Sequence, residues 1–309
     1  MSFLRFLAVC AFSLTLASQV QAGPNNGWPL GLVNECDTTK SEWIWCEDFE
    51  KDRSADYFEG TADRQASLGL NGSTASAFHF KKGISGGGGI KIAFGRTPSS
   101  YLKPVDSGEN NYREIFWRMF IYLPTTWMGN GADKLSRATI LASADWKQAM
   151  IAHVWSGSDP GSQSNLLLVD PASGTDAAGN LMTLGYNDFD NLRWLGYVGS
   201  NFPIFASENF GKWHCVEAHV KLNDPGQSNG VFQLYINNAL EVDRTSLNWI
   251  GSYDAYGINA IFFENYWNQG SPVDQTRYFD NLVVSTQAIG CGQEGVTPMP
   301  PSNLTVTQN

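Results

Sequence analysis

Two short segments of the chain place ionisable side chains at a spacing that suits proton transfer. Residues 212–222 carry Glu217 and His219, and residues 258–267 carry Glu264 and Tyr266, in each case two residues apart. On a β-strand this spacing brings both side chains onto one face. A carboxylate beside a histidine raises the imidazole pKa and orients the ring, so the first pair is a candidate proton carrier. A buried hydrogen-bonded pair without a catalytic role fits the same spacing.

Two further segments add cationic residues to faces of the same kind. Arg118 alternates with aromatic residues in 116–123, and His153 shares a face with Trp155 in 148–155. Aromatic rings stack on the C–H faces of pyranose sugars, and the sugar hydroxyls need hydrogen-bonding neighbours. These faces therefore predict a polysaccharide as the partner. An ordinary outer sheet with scattered aromatic residues is the alternative.

Acidic residues lie near both ends of the chain and suggest a cation site. The segments 47–50 and 278–281 read EDFE and YFDN. The first and last strands of a jelly roll often pair, which would bring these acids together, and crowded carboxylates repel one another. Ca²⁺ would relieve the repulsion with six to eight oxygen ligands, some of them carbonyls from loop 83–89. Acids exposed to solvent on the surface are the alternative.

The charge balance and the first residues indicate where the protein acts. The formal net charge is −10 and no cluster of Lys or Arg is present, which argues against nucleic acid and membrane as partners. Residues 1–22 combine Arg5, an apolar run over 6–16 and a small-residue cleavage signal at 20–22. The run is shorter than a membrane span requires. We therefore predict a signal peptide and a secreted, extracellular or periplasmic protein.

The cysteines predict disulfides. Four remain after cleavage, at positions 36, 46, 215 and 291, and four cysteines allow three pairings. An even count in an exported chain favours disulfides over metal thiolates, and no CxxC motif supports a zinc site. We favour Cys36–Cys46 and Cys215–Cys291, because Cys291 ends the last strand-like segment, where a covalent link prevents fraying.

The elements that must position these residues are strands. No stretch of twelve residues holds a helical period, and turn clusters rich in Gly and Asn separate the alternating segments. This pattern predicts an all-β antiparallel sandwich or jelly roll over residues 23–292, followed by a Pro-containing linker or tail over 293–309. The predicted strands cover residues 43–49, 77–80, 89–94, 114–123, 138–142, 148–155, 166–169, 213–222, 231–236, 260–267 and 277–285.

The last third of the chain resembles a known family. The stretches HCVEAHVKL, FQLYINNAL, FFENYW and YFDNLVVSTQAIGCG are similar to the secreted fungal cellulose-induced proteins related to glucuronan lyases. The resemblance implies a concanavalin-like β-jelly-roll sandwich of two antiparallel sheets and a role in polysaccharide turnover. It also implies the Cys215–Cys291 disulfide and a structural Ca²⁺ held by Glu50, Ser85 and Asp280.

The same resemblance implies a lyase-like enzyme that cleaves uronic-acid polysaccharide by β-elimination. It brings Glu217, His219, Glu264 and Tyr266 onto matching family positions. We assign neutralisation of the substrate carboxylate to Arg118 or His153, one proton transfer to Tyr266, and the second to His219 held by Glu217.

One strand departs from the family pattern, and two other functions remain open. The family strand alternates His, Arg and Gln, whereas residues 147–155 offer Gln148, Met150 and His153. A glycoside hydrolase using Glu217 and Glu264 is one alternative, with the carboxylate separation deciding its stereochemistry. A non-catalytic carbohydrate-binding module is the other. For each of these functions we expect a monomer.

Overall fold

The computed structural model describes residues 27–38, 40–156 and 165–292. The predicted signal peptide (1–22) and the predicted tail (293–309) lie outside these residues. The described chain contains sixteen β-strands and seven short 3₁₀ turns, and no α-helix. The strands are β1 (Trp43–Glu47), β2 (Glu59–Gly60), β3 (Asp63–Gln65), β4 (Ala75–Phe80), β5 (Gly86–Ala93), β6 (Glu114–Tyr122), β7 (Lys134–Leu141), β8 (Gln148–Ser156), β9 (Leu167–Ser173), β10 (Arg193–Trp194), β11 (Val198–Gly199), β12 (Trp213–Lys221), β13 (Gly230–Ile236), β14 (Ala239–Leu247), β15 (Ala260–Tyr266) and β16 (Gln275–Ser285).

The strands form two antiparallel sheets of eight strands each. Sheet A has the order β14-β13-β12-β6-β16-β4-β3, with β1 also paired to β16. Sheet B has the order β10-β9-β8-β7-β15-β5-β2, with β11 also paired to β9. The predicted all-β jelly-roll sandwich of two antiparallel sheets is therefore confirmed.

The core lies between the two sheets because every second residue of the central strands is apolar. The alternate residues of β6 and β12 on sheet A and of β5 and β7 on sheet B belong to one buried cluster. Full burial of each large side chain contributes about 1.5–3 kcal/mol. The residues that alternate with them point outward, so the two outer faces are where chemistry can occur. The buried residues include Ile115, Trp117, Met119, Ile121, Val216, Ala218, Val220, Ile90, Ile92, Ala138 and Ile140.

Each of the eleven predicted strands overlaps an observed one. Five observed strands, β2, β3, β10, β11 and β14, were not predicted, and β7 begins earlier than predicted. β14 was missed because its sequence ALEVDRTSL is largely polar, as suits a strand at the edge of sheet A. β7 begins at Lys134, four residues before the predicted start at 138. The earlier start adds Lys134 and Arg137 to a strand of sheet B.

The covalent and terminal features agree with expectation. β1 pairs with β16, so the first and last strands meet. Disulfides join Cys36 to Cys46 and Cys215 to Cys291. Within the described ranges, no helix has the length and apolar character needed to cross a bilayer.

Candidate active site

An open cleft of about 440 Å³ lies on the outer face of sheet B. Strands β5, β7 and β15 form its base, β2 forms one side, and the segment after β9 forms the other. The cleft contains three cationic and two acidic side chains, in a chain whose net charge is −10. Its lining consists of Glu59, Gly60, Gly86, Gly88, Gly89, Lys91, Lys134, Arg137, Tyr186, Asn187, Phe263, Glu264, Asn265 and Tyr266.

Arg137 organises the centre of the cleft. Its guanidinium donates to Glu264 Oε1 at 2.9 Å, to Asn187 Oδ1 at 2.8 Å and to the hydroxyl oxygen of Tyr186. The arginine is fully buried beneath these partners, whereas Tyr186 is 37% exposed. Arg137 therefore forms part of the cleft floor and fixes side chains that face solvent. Burial raises the pKa of Tyr186, which keeps its phenol protonated at neutral pH.

Lys134 and Tyr266 form a second unit at one end of the cleft. They are paired across β7 and β15, directly after an irregularity in the register of these strands. The ammonium of Lys134 lies 4.7 Å from the centroid of the Tyr266 ring. Burial lowers the pKa of Lys134; Glu264 opposes this shift, and the positive charge of Arg137 adds to it. The cleft thus contains a lysine whose pKa lies below its ordinary value beside a phenol that is 41% exposed.

Lys91 brings a cation to the opposite side of the cleft. Its ammonium lies 2.6 Å from Glu59 Oε2 and 4.9 Å from the ring centroid of Phe262. It also lies 5.1 Å from the ring of Trp146. The ammonium therefore combines charge with aromatic surface, a combination that suits an anionic sugar.

His153 lies on β8, directly opposite Arg137 on β7. It is fully buried, its Nδ1 is 3.2 Å from the carbonyl oxygen of Asp170, and its ring stacks against that of Trp194 at 5.9 Å. Burial, with Arg137 adding to it, lowers the pKa of His153 well below its ordinary value. The ring is therefore neutral. The arginine that lies beside His153 is Arg137 of the neighbouring strand.

The structure separates the six predicted catalytic residues into two groups. Glu264, Tyr266 and His153 lie on sheet B, at or beside the cleft. Arg118, Glu217 and His219 lie on β6 and β12 of sheet A. The two groups face opposite sides of the sandwich, so they do not form one site.

The sheet A residues hold terminal segments of the chain in place. Arg118 forms an ion pair with Glu35 and donates to the carbonyl oxygen of Gly290 at 3.0 Å. Glu217 accepts from the backbone N–H groups of Ile289 and Gly290, both at 2.8 Å. Burial raises the pKa of Glu217, and these backbone hydrogen bonds oppose the shift. Arg118 and Glu217 therefore both make structural contacts.

His219 does not hydrogen-bond to Glu217. Its ring nitrogens contact Gln233 and Glu114, both at 2.8 Å, and the ring stacks on Phe116 at 4.0 Å. The two-residue spacing places both residues on one face, as expected, but His219 contacts side chains of neighbouring strands, whereas Glu217 binds the backbone of Ile289 and Gly290.

The hydrolase alternative required Glu217 and Glu264 to flank one bond. They point outward from different sheets, with the core between them. Packed sheets are themselves about 10 Å apart. This separation exceeds the roughly 5–9.5 Å that an acid/base pair of a glycosidase spans, so the structure contradicts that pairing.

The three predicted calcium ligands are only partly brought together. Asp280 is fully buried and its pKa is raised well above the ordinary value, by burial and by the neighbouring charge of Glu50. Glu50 accepts from the N–H of Thr74 at 2.5 Å, at the start of β4. Ser85 follows the other end of β4 and contacts Asn268 instead. Among the described residues, no group of three or more His, Cys, Asp or Glu has the geometry of a metal site.

Sequence reasoning missed the cationic residues of the cleft. Lys134 and Arg137 precede the predicted start of β7, and Lys91 lies in a predicted strand whose residue pattern does not mark it as a site residue. The spacing of Lys134 and Arg137 is three residues, so the two-residue rule could not place them on one face. A β-bulge between Lys134 and Ser136 supplies the extra residue.

Comparisons with known proteins bear on the fold and on part of the sequence. A model of the polysaccharide lyase 14 family matches residues 205–282, which contain β12 to β15 and most of β16. A search of curated proteins gave no match.

Two solved structures share the fold. The PL-14 alginate lyase from the marine animal Aplysia kurodai has a TM-score of 0.55 at 13% identity, covering 79% of this chain and 99% of its own. The alginate lyase Aly36B has a TM-score of 0.50 at 16% identity, and the match covers 79% of this chain and 94% of Aly36B. The chain thus shares the fold of alginate lyases and, over residues 205–282, the sequence pattern of the polysaccharide lyase 14 family.

Proposed function

We propose that the protein is a lyase that cleaves uronic-acid polysaccharide by β-elimination in the sheet B cleft. The observation that carries this proposal is the gathering of Lys91, Lys134 and Arg137 beside two tyrosines in an open cleft of an acidic chain. A polyanionic substrate needs such a local positive field, because the rest of the surface repels it.

The substrate carboxylate is the first requirement of the reaction. Its charge must be neutralised before the C5 proton becomes acidic enough to leave. We assign this role to the Lys91 ammonium and the Asn187 amide, which line the cleft. Arg137 acts through its neighbours, holding Asn187 and Glu264 in position. These residues replace Arg118, which lies on sheet A, away from the cleft, and is paired with Glu35.

Lys134 and Tyr266 then carry the two proton transfers. The neutral amine of Lys134 removes the C5 proton, the bond between C4 and its oxygen breaks, and a C4–C5 double bond forms. The hydroxyl of Tyr266 gives its proton to the departing oxygen. Lys134 afterwards returns a proton to the tyrosinate, which restores both groups. Lys134 takes the place that the sequence suggested for His219.

The family match and the shared fold support a uronan as substrate. The similar solved structures are described as alginate lyases, and the fungal cellulose-induced proteins that the sequence resembles are related to glucuronan lyases. Both classes of substrate carry the carboxylate beside the C5 proton that the proposed chemistry requires.

A substrate panel tests the function. Polymannuronate, polyguluronate, glucuronan and a neutral glucan are incubated with the wild type, Tyr266→Phe and the matched control Tyr278→Phe on sheet A. We expect ultraviolet absorbance of an unsaturated product from at least one uronan, lost in Tyr266→Phe and kept in Tyr278→Phe. Binding to a uronan without any product would instead support a non-catalytic module.

Two further predictions remain proposals. We propose that the protein acts in an oxidising, extracellular or periplasmic compartment, which suits its two disulfides. We also propose that Glu50 and Asp280 hold a structural Ca²⁺, since the buried carboxylate beside a second acid fits a hard cation in charge and ligand type. The ion would supply positive charge there and takes no part in the cleft chemistry.

A further inference from the structure

The outer face of sheet B continues as an aromatic surface beyond the cleft. The Lys134 ammonium lies 5.8 Å from the ring centroid of Phe189 and 5.9 Å from that of Trp155. The Phe189 ring is in turn 6.0 Å from that of Trp194. Phe189 is 36% exposed and Trp194 is 41% exposed. Lys134 therefore stands between the cleft and a pair of solvent-facing rings.

We propose that Phe189 and Trp194 form a second subsite, which binds a pyranose unit adjoining the one held in the cleft. This inference rests on the proposed function. The Trp194 ring is supported from below by the neutral, buried ring of His153, so it presents a fixed apolar face. Neighbouring strands are about 4.8 Å apart. A sugar chain that runs across the strands therefore extends from the cleft, over β8, to this aromatic surface.

Affinity electrophoresis tests the subsite without requiring turnover. The wild type, Trp194→Ala, Phe189→Ala and the control Trp43→Ala on sheet A are run in gels containing polymannuronate, glucuronan or a neutral glucan. One stacking contact is worth about 0.5–1.5 kcal/mol, so we expect the dissociation constant for a bound uronan to rise roughly three- to tenfold in the first two variants only.

The outcomes separate the subsite from the proposed function. A wild type that is not retarded by any uronan overturns both. A wild type that is retarded, with Trp194→Ala and Phe189→Ala retarded equally, overturns the subsite and leaves the lyase proposal standing.

A separate observation concerns Arg277, a fully buried residue of β16. Although β16 belongs to sheet A, the guanidinium contacts sheet B. It donates to the carbonyl oxygens of Lys134 at 3.1 Å and Glu264 at 2.9 Å, and to Asn265 Oδ1 at 2.6 Å. Burial lowers its pKa to about 9, which leaves it charged at neutral pH.

These contacts fall where the strand register is irregular. The β15–β7 register shifts between Phe263 and Tyr266, and the β7–β8 register shifts between Lys134 and Ser136. A bulge leaves backbone groups without ladder partners. Arg277 supplies donors at this place, and the irregular register is what sets Lys134 opposite Tyr266.

We infer that Arg277 is a positioning residue for the Lys134–Tyr266 pair. Removing the guanidinium frees the carbonyls of Lys134 and Glu264, so the two proton carriers lose their alignment. Because proton transfer depends on alignment at hydrogen-bonding distance, kcat falls more than substrate affinity changes.

Kinetics with chemical rescue test the inference. Arg277→Lys and Arg277→Ala are compared with Asn281→Ala, a buried β16 residue whose amide binds Leu32 and Glu35 on the other side of sheet A. Below each variant's unfolding temperature we expect kcat to fall at least tenfold in the Arg277 variants, with KM within about threefold, and guanidinium ion to restore part of the rate in Arg277→Ala. Asn281→Ala keeps kcat.

The milder Arg277→Lys keeps the test decisive should the alanine variant not fold. A kcat within twofold of wild type in Arg277→Lys, measured on folded protein, overturns the positioning role. A fall in kcat that equals the loss of folded protein, without rescue, overturns it as well.

Discussion

The outer faces of the two sheets each hold a fully buried arginine paired with a glutamate, yet the two pairs serve different ends. On sheet A, Arg118 binds Glu35 and the backbone of Gly290, which belong to segments that cover the sheet. On sheet B, Arg137 binds Glu264 together with Tyr186 and Asn187, which line an open cleft. The two faces have similar chemistry, but only one of them is open.

The comparison shows that a charged sheet face has a structural role where other segments of the chain cover it and can bind a ligand where it is open. The Cys215–Cys291 disulfide and the hydrogen bonds to Glu217 fix the last described residues against sheet A. The charges of Arg118 and Glu35 neutralise each other there. On sheet B the partners of Arg137 remain partly exposed, so the charge is available to organise a ligand.

Replacing Lys134 removes the proposed general base and gives the largest expected effect. Lys134→Met should lower kcat by roughly 10²–10⁴-fold, the usual contribution of general acid–base catalysis. In the wild type, kcat should rise with pH to a midpoint below 10.5, because burial lowers the pKa of the amine and only its neutral form accepts a proton. Steady-state rates across the alkaline range measure both effects.

The control for this variant is Lys221→Met on β12, a cation of sheet A whose ammonium lies 3.9 Å from Glu114. It should retain the wild-type rate and pH profile. An active Lys134→Met enzyme with an unchanged alkaline profile would remove the lysine from the mechanism.

Replacing Arg118 tests the opposite role for sheet A. Arg118→Met leaves Glu35 buried without its partner, which should lower the free energy of unfolding by about 3–5 kcal/mol. Denaturant titration measures that change, and rates on the folded protein should stay within about twofold. A large loss of kcat with unchanged stability would return Arg118 to the catalytic machinery.

Added Ca²⁺ tests the proposed site at Glu50, which follows β1, and Asp280 on β16. At a hundredfold excess over the dissociation constant, binding adds about 2.7 kcal/mol, so Ca²⁺ should raise the Tm by roughly 5 °C over chelator. The rise should grow with pH, since Asp280 must lose its proton to bind and its pKa is raised. Asp280→Asn should abolish the response. Equal melting curves with and without Ca²⁺ in the wild type would refute the site.

Asp170 on β9 gives the smallest expected effect. Burial raises its pKa to about 6, with Arg244 opposing the shift. The folded state therefore binds its proton more tightly than the unfolded state, and stability falls as pH rises from about 4 to about 6. Asp170→Asn should raise the Tm modestly above pH 6 and leave it unchanged near pH 4. A gain that is equal at both pH values would show that the titration is not the cause.

The sequence predicted the fold, and it predicted two residues, Glu264 and Tyr266, that the structure places in the cleft. Alternation of apolar residues located the strands, and it placed Glu264 and Tyr266 on the face that became the cleft. Strand pairing is a long-range property that alternation does not contain. Nothing in residues 212–222 shows that segments 27–37 and 286–292 cover the outer face of β12.

The sequence pattern did not predict the cationic residues of the cleft, for a different physical reason. Two-residue spacing fails at a bulge, where one extra residue shifts the side chains of Lys134 and Arg137 relative to the pleat. Tyr186 and Asn187 lie in a connecting segment whose position depends on Arg137 and on the Gln148 side chain. Their contribution follows only from three-dimensional contacts.

The mass of the products made in heavy-oxygen water tests the central claim most directly. β-Elimination breaks the bond without adding water, so the account predicts a uronan fragment with an unsaturated end and no incorporated label. A saturated fragment carrying the heavy oxygen would show hydrolysis and contradict the account.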